Sequence, residues 1–256
     1  MMHATESLTY EQSVSLLAET TKWFVTVMTR LSPWLPCGRL HILEVGAAQG
    51  RGVLALQQLG HAAVGLEPWG PALQVSRTLA AEHAVTLTLV QGMAEQLPFA
   101  PGTFDVVLAC SVLEHVQDLE GSLREIARVL RPSGLLWFYS ESALCPRQDE
   151  IAVFPAFGWY PSPLKRAVMR WTLRHHPAWI GHSATPAMHW WTPHSARRRL
   201  QAAGFEAIWD RWELRQLREE SGWRRWIVNA AQHSRFVRYG LDVLIPGCAY
   251  MARKGN

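Results

Sequence analysis

The densest run of chemistry-bearing residues is His41-Ile42-Leu43-Glu44-Val45-Gly46-Ala47-Ala48-Gln49-Gly50-Arg51-Gly52, an apolar stretch that ends on a carboxylate and enters a glycine-bearing turn. Gly46 and Gly50 let the backbone turn tightly and come close to a ligand. No Lys-Ser/Thr pair follows, so the turn is not a phosphate-binding P-loop. Seventeen residues beyond Gly50, Glu67 closes a second apolar run and leads into Pro68 and Trp69. A carboxylate in that place can accept both hydroxyls of a ribose, and an indole can lie against an adenine face. The plainer role for Glu67 is to cap the helix that follows. As a strand-end group it is expected outside the core, so that its loss leaves the fold intact.

A third segment runs Gln91-Gly92-Met93-Ala94-Glu95-Gln96-Leu97-Pro98-Phe99 and is followed by Phe104 to Ala109 and then Cys110-Ser111-Val112-Leu113-Glu114-His115-Val116. A fourth runs from Arg124 through Arg131-Pro132-Ser133-Gly134 to Leu136. Histidine changes charge near neutral pH, which makes His115 a candidate base for taking a proton from an acceptor. Its competing role is simple contact with ligand or backbone. His189, beside Trp190 and Trp191, is a second candidate, set against an aromatic packing cluster. Tyr139 is a third.

These residues need a frame that brings strand ends together. Short apolar runs at Leu40–Val45, Ala62–Leu66, Val85–Val90, Phe104–Ala109 and Leu135–Tyr139 alternate with helical stretches at Val53–Leu59, Pro71–Glu82 and Leu119–Leu130. Runs buried on both faces and joined by helical crossovers make a doubly wound α/β fold, Rossmann-like, with a mostly parallel sheet and helices on both faces. Pro132-Ser133-Gly134 reads as the turn before the last of these strands. A helix is expected over residues 8–31, within an N-terminal segment 1–36, ahead of a core at 40–140. Residues 143–190 break the rhythm and read as an insertion over the sheet edge, a lid. Within it Leu164, Ala167, Val168 and Trp171 share one helical face, with Lys165, Arg166, Arg170 and Arg174 off it. Residues 191–256 bring back strand and helix at Pro193–Ala203, Phe205–Trp212 and Gly247–Arg253, with a helical basic insert at 214–238, all in a single domain.

In this order and spacing the four segments resemble the class I S-adenosylmethionine-dependent methyltransferases, above all the group of quinone-pathway and other small-molecule enzymes. The resemblance covers about residues 40–140 and returns from Trp191-Thr192-Pro193 to Ala203-Gly204-Phe205. It implies S-adenosyl-L-methionine as cofactor. It assigns the methionine part and ribose to Glu44, Gly46, Ala48 and Gly50, and the ribose hydroxyls and adenine to Glu67, Pro68 and Trp69. Met93, Ala94 and Glu95 would frame the adenine, and Ser111, Val112 and His115 the methyl site. Ala48 departs from the family's usual second glycine, which a negative φ would accommodate. Met93 stands where an aspartate commonly contacts the adenine amine.

The resemblance thus implies a methyltransferase for a small-molecule or lipid-like acceptor. A non-catalytic binding module of the same fold is one alternative. A dehydrogenase would share the first turn but would leave Leu113-Glu114-His115 and Pro132-Ser133-Gly134 unexplained. A nucleic-acid methyltransferase is prompted by a basic half, but no Asn/Asp-Pro-Pro-aromatic motif stands at the fourth strand end, where Ser111 begins the stretch.

Composition bounds these readings. Forty-eight per cent apolar residues excludes a largely disordered chain, and no run reaches the ~18 apolar residues of a membrane span. No export signal is read at the start, so a cytoplasmic protein is expected. Cys37, Cys110, Cys145 and Cys248 are far apart, and Cys145 with His175, His176, His182 and His189 matches no structural zinc spacing, so no metal is expected. Residues 1–150 carry 9 Lys/Arg against 15 Asp/Glu, whereas residues 151–256 carry 16 against 6, with nine of the 13 tryptophans. Such a half suits an anionic acceptor or transient contact with an anionic membrane surface; a solvated basic face over core tryptophans is the competing account.

Overall fold

A computed structural model describes residues 10–82, 85–180, 186–215 and 220–256. They fall into two compact units, one ending at Gln91 and one beginning at Gly92.

The first unit opens with helix α1 (Tyr10–Leu31), which buries Leu17, Phe24, Val27, Met28 and Leu31 at three- and four-residue spacing and leaves Leu16 exposed. Strand β1 (His41–Val45), helix α2 (Arg51–Gln58), strand β2 (Ala62–Glu67), helix α3 (Gly70–Glu82) and strand β3 (Leu89–Gln91) follow. β1, β2 and β3 pair in parallel. β3 is shorter than the expected Val85–Val90, because only Gly65, Leu66 and Glu67 of β2 pair with it.

The second unit holds β4 (Phe104–Cys110), α4 (Leu119–Val129), β5 (Leu130–Glu141), α5 (Ser162–His175), α6 (Pro193–Ala202), β6 (Phe205–Asp210), α7 (Trp223–His233), α8 (Arg235–Leu244) and β7 (Gly247–Lys254). β4 and β5 are parallel, and β7 runs antiparallel to both β5 and β6. Strand order through the seven strands is β3-β2-β1-β4-β5-β7-β6. This is the doubly wound, mostly parallel Rossmann-like sheet expected from the alternation. The run Ile42-Leu43 and the run Val106-Val107-Leu108 are wholly buried, as strands covered on both faces must be.

Three local expectations are corrected. Pro132-Ser133-Gly134 does not precede β5 but lies inside it, where the register against β4 shifts and Ser133 takes a φ of 59°. The 214–238 insert continues to Leu244 as two helices, α7 and α8. In α5 the inward face is Lys165, Met169 and Thr172, while Leu164 and Trp171 are about half exposed. That face is chosen by the insertion's own small core, where Met169 packs with Ile151, Phe157, Ile180, Ala187 and Trp190. Lys165, one turn before Met169, is carried in with it.

Caps fix the helix starts near the strand ends. Asp118 accepts from the Gly121 N–H at 2.9 Å to begin α4. Thr192 and Ser195 form a reciprocal capping box at α6, with Pro193 in its first turn.

Candidate functional site

In the first unit the turn after β1 is tied to the end of β2, since Gly46 N–H and Ala47 N–H both donate to the Leu66 carbonyl, at 2.8 and 3.0 Å. The turn is left-handed at three places: Gly46 (φ 72°), Ala48 (46°) and Gly50 (82°). Ala48 therefore does not keep the negative φ expected of it. The conformation costs an L-residue roughly 1–2 kcal/mol. Glu67 holds it: Oε2 accepts the Ala48 N–H at 2.8 Å and Oε1 accepts the Trp69 N–H at 3.0 Å.

Glu67 is only 8% exposed, which corrects the expectation of a group outside the core: it struts two loops at once. Each of its oxygens retains a lone pair for a further donor. The Pro68 carbonyl accepts from Gln91 Nε2 at 3.2 Å, and Trp69 is half exposed.

Glu44 is buried beneath the start of α2. A Cβ on Gly52 would stand 2.1 Å from Glu44 Oε1, so that third glycine, which the sequence reading left without a role, is the cradle for the carboxylate. Burial pushes the Glu44 carboxyl up to about 8; the Val53 N–H pulls the other way, and the Glu67 charge adds to the rise. Among the described residues Glu44 Oε2 has no hydrogen-bond partner. An ammonium group would supply that partner and bring the carboxyl into its ionised form. A buried acceptor lacking a donor and a strand-end carboxylate with spare lone pairs fit the amino group and ribose diol of S-adenosyl-L-methionine.

In the second unit, Met93 and Gln96 form an isolated bridge, Ala94 is buried and Met93 is half exposed. Glu95 Oε1 accepts the Gln117 N–H at 2.8 Å, so this carboxylate pins the segment that follows His115. Arg128 clamps the same loop through the Leu97 and Phe99 carbonyls, at 2.9 and 2.8 Å. Ser111 is left-handed (φ 53°), with its N–H on the Tyr139 carbonyl at 2.9 Å. The Val112 carbonyl accepts the His115 N–H at 2.8 Å, closing the turn that aims Glu114 and His115.

The two histidines meet at that turn. The Glu114 carbonyl accepts the His189 N–H at 3.1 Å, and His189 Nε2 donates to the Val116 carbonyl at 3.0 Å. With Nε2 committed, Nδ1 is the basic nitrogen of His189, and burial holds its pKa below the ordinary value. His115 Nδ1 lies 3.9 Å from Glu150 Oε1. Tyr139 is not free in the same sense: its ring fills the space that a side chain at Gly247 would need, and burial raises its pKa.

Around these histidines stand four groups that sequence reasoning did not assign to the site. The Glu114 carboxylate accepts the Ser140 hydroxyl at 2.6 Å, and Glu150 accepts the Ala187 N–H at 3.2 Å. Burial pushes Glu114 and Glu150 up to about 7 and Glu141 up to about 8. Lys165 is 2% exposed, with Nζ 4.7 Å above the Trp190 ring. Burial pulls it down to about 8 against the charge of Glu141. Among the described residues its Nζ makes no hydrogen bond or ion pair, while its backbone N–H donates to the Pro161 carbonyl at 2.9 Å. Glu114 was legible as part of Leu113-Glu114-His115, whereas periodicity set Lys165 on the polar face of its helix and its four-residue spacing to Met169 is the signal that would have found it. Glu141 and Glu150, on either side of an irregular stretch, carried no such signal.

No group of three His, Cys, Asp or Glu side chains among the described residues is placed to hold a metal ion, and the four cysteines are unpaired. His182 lies outside the described residues.

Residues 43–138 match the family described as a methyltransferase domain. The ubiquinone biosynthesis O-methyltransferase of Azorhizobium caulinodans is 36% identical over 101 residues, 40% of this chain and 40% of that protein. The chain thus spans about two fifths of the length of such curated relatives. Among solved structures, the YcgJ protein of Bacillus subtilis superposes with a TM-score of 0.57 at 15% identity, over 93% of this chain and 99% of that one. Phosphoethanolamine N-methyltransferase 2 of Haemonchus contortus, solved with S-adenosyl-L-methionine, superposes with a TM-score of 0.57 at 13% identity, over 90% and 52%. The similarity to a methyltransferase domain thus covers residues 43–138, and the likeness of fold covers most of the chain.

Proposed function

With residues 43–138 matched to a methyltransferase domain, we propose that this protein is a cytoplasmic S-adenosyl-L-methionine-dependent methyltransferase for a small-molecule or lipid-like acceptor. One observation carries the reading: two buried carboxylates, Glu44 and Glu67, flank a turn that is left-handed at Gly46, Ala48 and Gly50. Glu44 would take the amino group of the methionine part and Glu67 the ribose hydroxyls. Trp69 would border the adenine, a role that the sequence resemblance also implies for Met93 and Ala94. The relatives named ubiquinone biosynthesis O-methyltransferase support a small-molecule acceptor.

The bound sulfonium supplies a carbon that is already electrophilic, so the protein's work is alignment and proton control. His189 holds its Nε2 proton on Val116, which leaves Nδ1, buried and without a hydrogen-bond partner among the described residues, as its basic nitrogen. His115 stands beside Glu150, whose carboxyl, with that of Glu114, titrates close to neutral pH and so exchanges protons there. Lys165, whose Nζ has no hydrogen-bond acceptor among the described residues, is suited to hold an acceptor oxygen as it gains negative charge. Ser111 and Val112 set the turn that presents these groups.

A non-catalytic binding module is the second reading, favoured by Met93, whose thioether offers only a weak acceptor to an adenine amine. One experiment separates the two. The full chain is incubated with S-adenosylmethionine labelled on the methyl group and an organic extract of cells. Label passing into an extractable small molecule, and lost in His189→Ala, supports the enzyme. Retained binding with no transfer to any fraction leaves the module.

A further inference from the structure

Helix α8 is built inside out. Phe236, Tyr239, Gly240, Val243 and Leu244 recur at helical spacing on one face, and such a stripe ordinarily faces a core. Here Phe236 is 93% exposed, Leu244 75% and Tyr239 58%, and no residue of the helix is buried. Two of the three charged positions, Arg238 and Asp242, turn inward instead. The Arg238 guanidinium bonds Asp210 Oδ2 at 2.9 Å, Glu213 Oε1 at 3.3 Å and the Ala231 carbonyl at 3.1 Å. Asp242 accepts the indole N–H of Trp212 at 2.8 Å. These bonds fix which way the helix faces. Helix α7, packed on α8, buries Val228 and Ala231 and presents Trp223 and Trp226, one turn apart and 69% and 78% exposed. Scattered exposed apolar residues are ordinary; five large ones on two adjoining helices are more than scatter and mark a candidate interaction surface.

Charge indicates what covers it. The exposed ionic side chains of the two helices are Arg224, Arg225 and Arg235, and their one acid, Asp242, is engaged inward. A nucleic acid would answer the arginines but give Phe236 and Leu244 nothing to enter. An apolar protein face would bury the aromatics and strand the arginines. The headgroup boundary of an anionic bilayer answers both: phosphates for guanidinium groups, apolar depth for Phe and Leu, and an interface suited to Trp and Tyr. No helix among the described residues is long and apolar enough to cross a membrane, so the contact lies in the surface plane.

We propose that α7 and α8 form an interfacial anchor for an anionic lipid bilayer, with the Phe236–Leu244 stripe immersed and Arg224, Arg225 and Arg235 on the phosphates. The anchor rests on exposure and charge alone and stands whether or not the chain transfers methyl groups.

The test is flotation of the full chain with vesicles of mixed phosphatidylglycerol and phosphatidylcholine, beside vesicles of phosphatidylcholine alone. Binding to the anionic vesicles is expected, weakening as salt is raised, with tryptophan emission shifted to the blue and quenched by brominated lipid. F236S/L244S changes only exposed positions and should keep the thermal midpoint while losing tenfold or more in vesicle affinity. R224Q/R225Q/R235Q should lose the preference for anionic lipid. Undiminished binding by F236S/L244S overturns the proposal, as does absence of binding to any vesicle. A dimer in sedimentation that F236S/L244S dissolves assigns the face to a second copy and equally overturns it, as does tighter binding to duplex DNA than to vesicles.

Discussion

Glu67 and Ala48 hold each other in place: Glu67 Oε2 accepts the N–H of Ala48 at 2.8 Å, and Ala48 is the non-glycine among the three left-handed residues of the turn. The proposed ribose-binding carboxylate is therefore also the fastener of the loop beside it. Removing it strands two amides. Glu67→Ala should cost about 1–3 kcal/mol of folding stability as well as weakening cofactor binding. Urea unfolding and calorimetry on the same variant check both, and a loss of affinity at unchanged stability would contradict the coupled role.

Ala48→Gly should act in the opposite direction on stability. The left-handed φ of 46° is strained for alanine and free for glycine, and the gain is offset in part by the greater freedom of glycine in the unfolded chain. A net rise of about 0.5–1 kcal/mol in urea unfolding is expected. Ala48→Val should lower stability, and the reverse ordering would remove strain from the account.

Proton release on binding should betray Glu44. Its carboxyl lies at about 8 in the free protein, above the ordinary 4.5, so it is mostly protonated at neutral pH. A bound ammonium lowers it and expels the proton. Binding of S-adenosylhomocysteine near neutral pH should therefore release close to ~1 proton, fading as pH rises past the free-state value. Calorimetry in two buffers of different ionisation enthalpy measures the release; a constant proton count across that range would exclude Glu44 from the amino-group site.

The same sign governs stability in the absence of ligand. Glu44, Glu114, Glu141 and Glu150 all sit above 4.5 in the folded protein, at about 7 to about 8. Their contribution is complete below the unfolded value and is lost as pH rises through the folded values. Lys165, lowered from 10.5 to about 8, acts in the opposite sense, but only above about 8, where its neutral folded form adds stability as pH rises toward the unfolded value. Below about 8 Lys165 is charged in both states and the four carboxyls set the sign, so the thermal midpoint should fall between about pH 5 and about 8. A midpoint rising over that interval would contradict the burial of these groups.

Lys165→Met replaces a buried cation by an apolar chain of similar length. Because Nζ makes no hydrogen bond among the described residues, folding stability should hold or rise. Turnover of an identified acceptor should fall through kcat more than KM, with loss of the alkaline limb near 8 in the rate profile. A variant that keeps the wild-type pH profile would make Lys165 structural.

The frame was legible because a parallel sheet writes itself into sequence as apolar runs such as Leu40–Val45 and Phe104–Ala109, and the turn because Gly46 and Gly50 punctuate it. What escaped depends on three-dimensional neighbours. Periodicity in α5 placed Leu164 and Trp171 inward, whereas the insertion's own core selected the Lys165–Met169–Thr172 face. Glu141 and Glu150 become site groups only through β5 and the irregular chain beyond it. The insert read over 214–238 stopped short of most of α8, and the outward orientation of that helix is fixed by the bonds of Arg238, which composition alone does not encode.

The central claim is that the first unit's turn holds S-adenosyl-L-methionine, and calorimetric titration of the full chain with S-adenosylhomocysteine tests it most directly. The account predicts saturable binding in the wild type. Gly46→Val, which forces a branched side chain into a left-handed position at φ 72°, should abolish it. No binding heat in the wild type, or wild-type affinity in a folded Gly46→Val protein, would contradict the account.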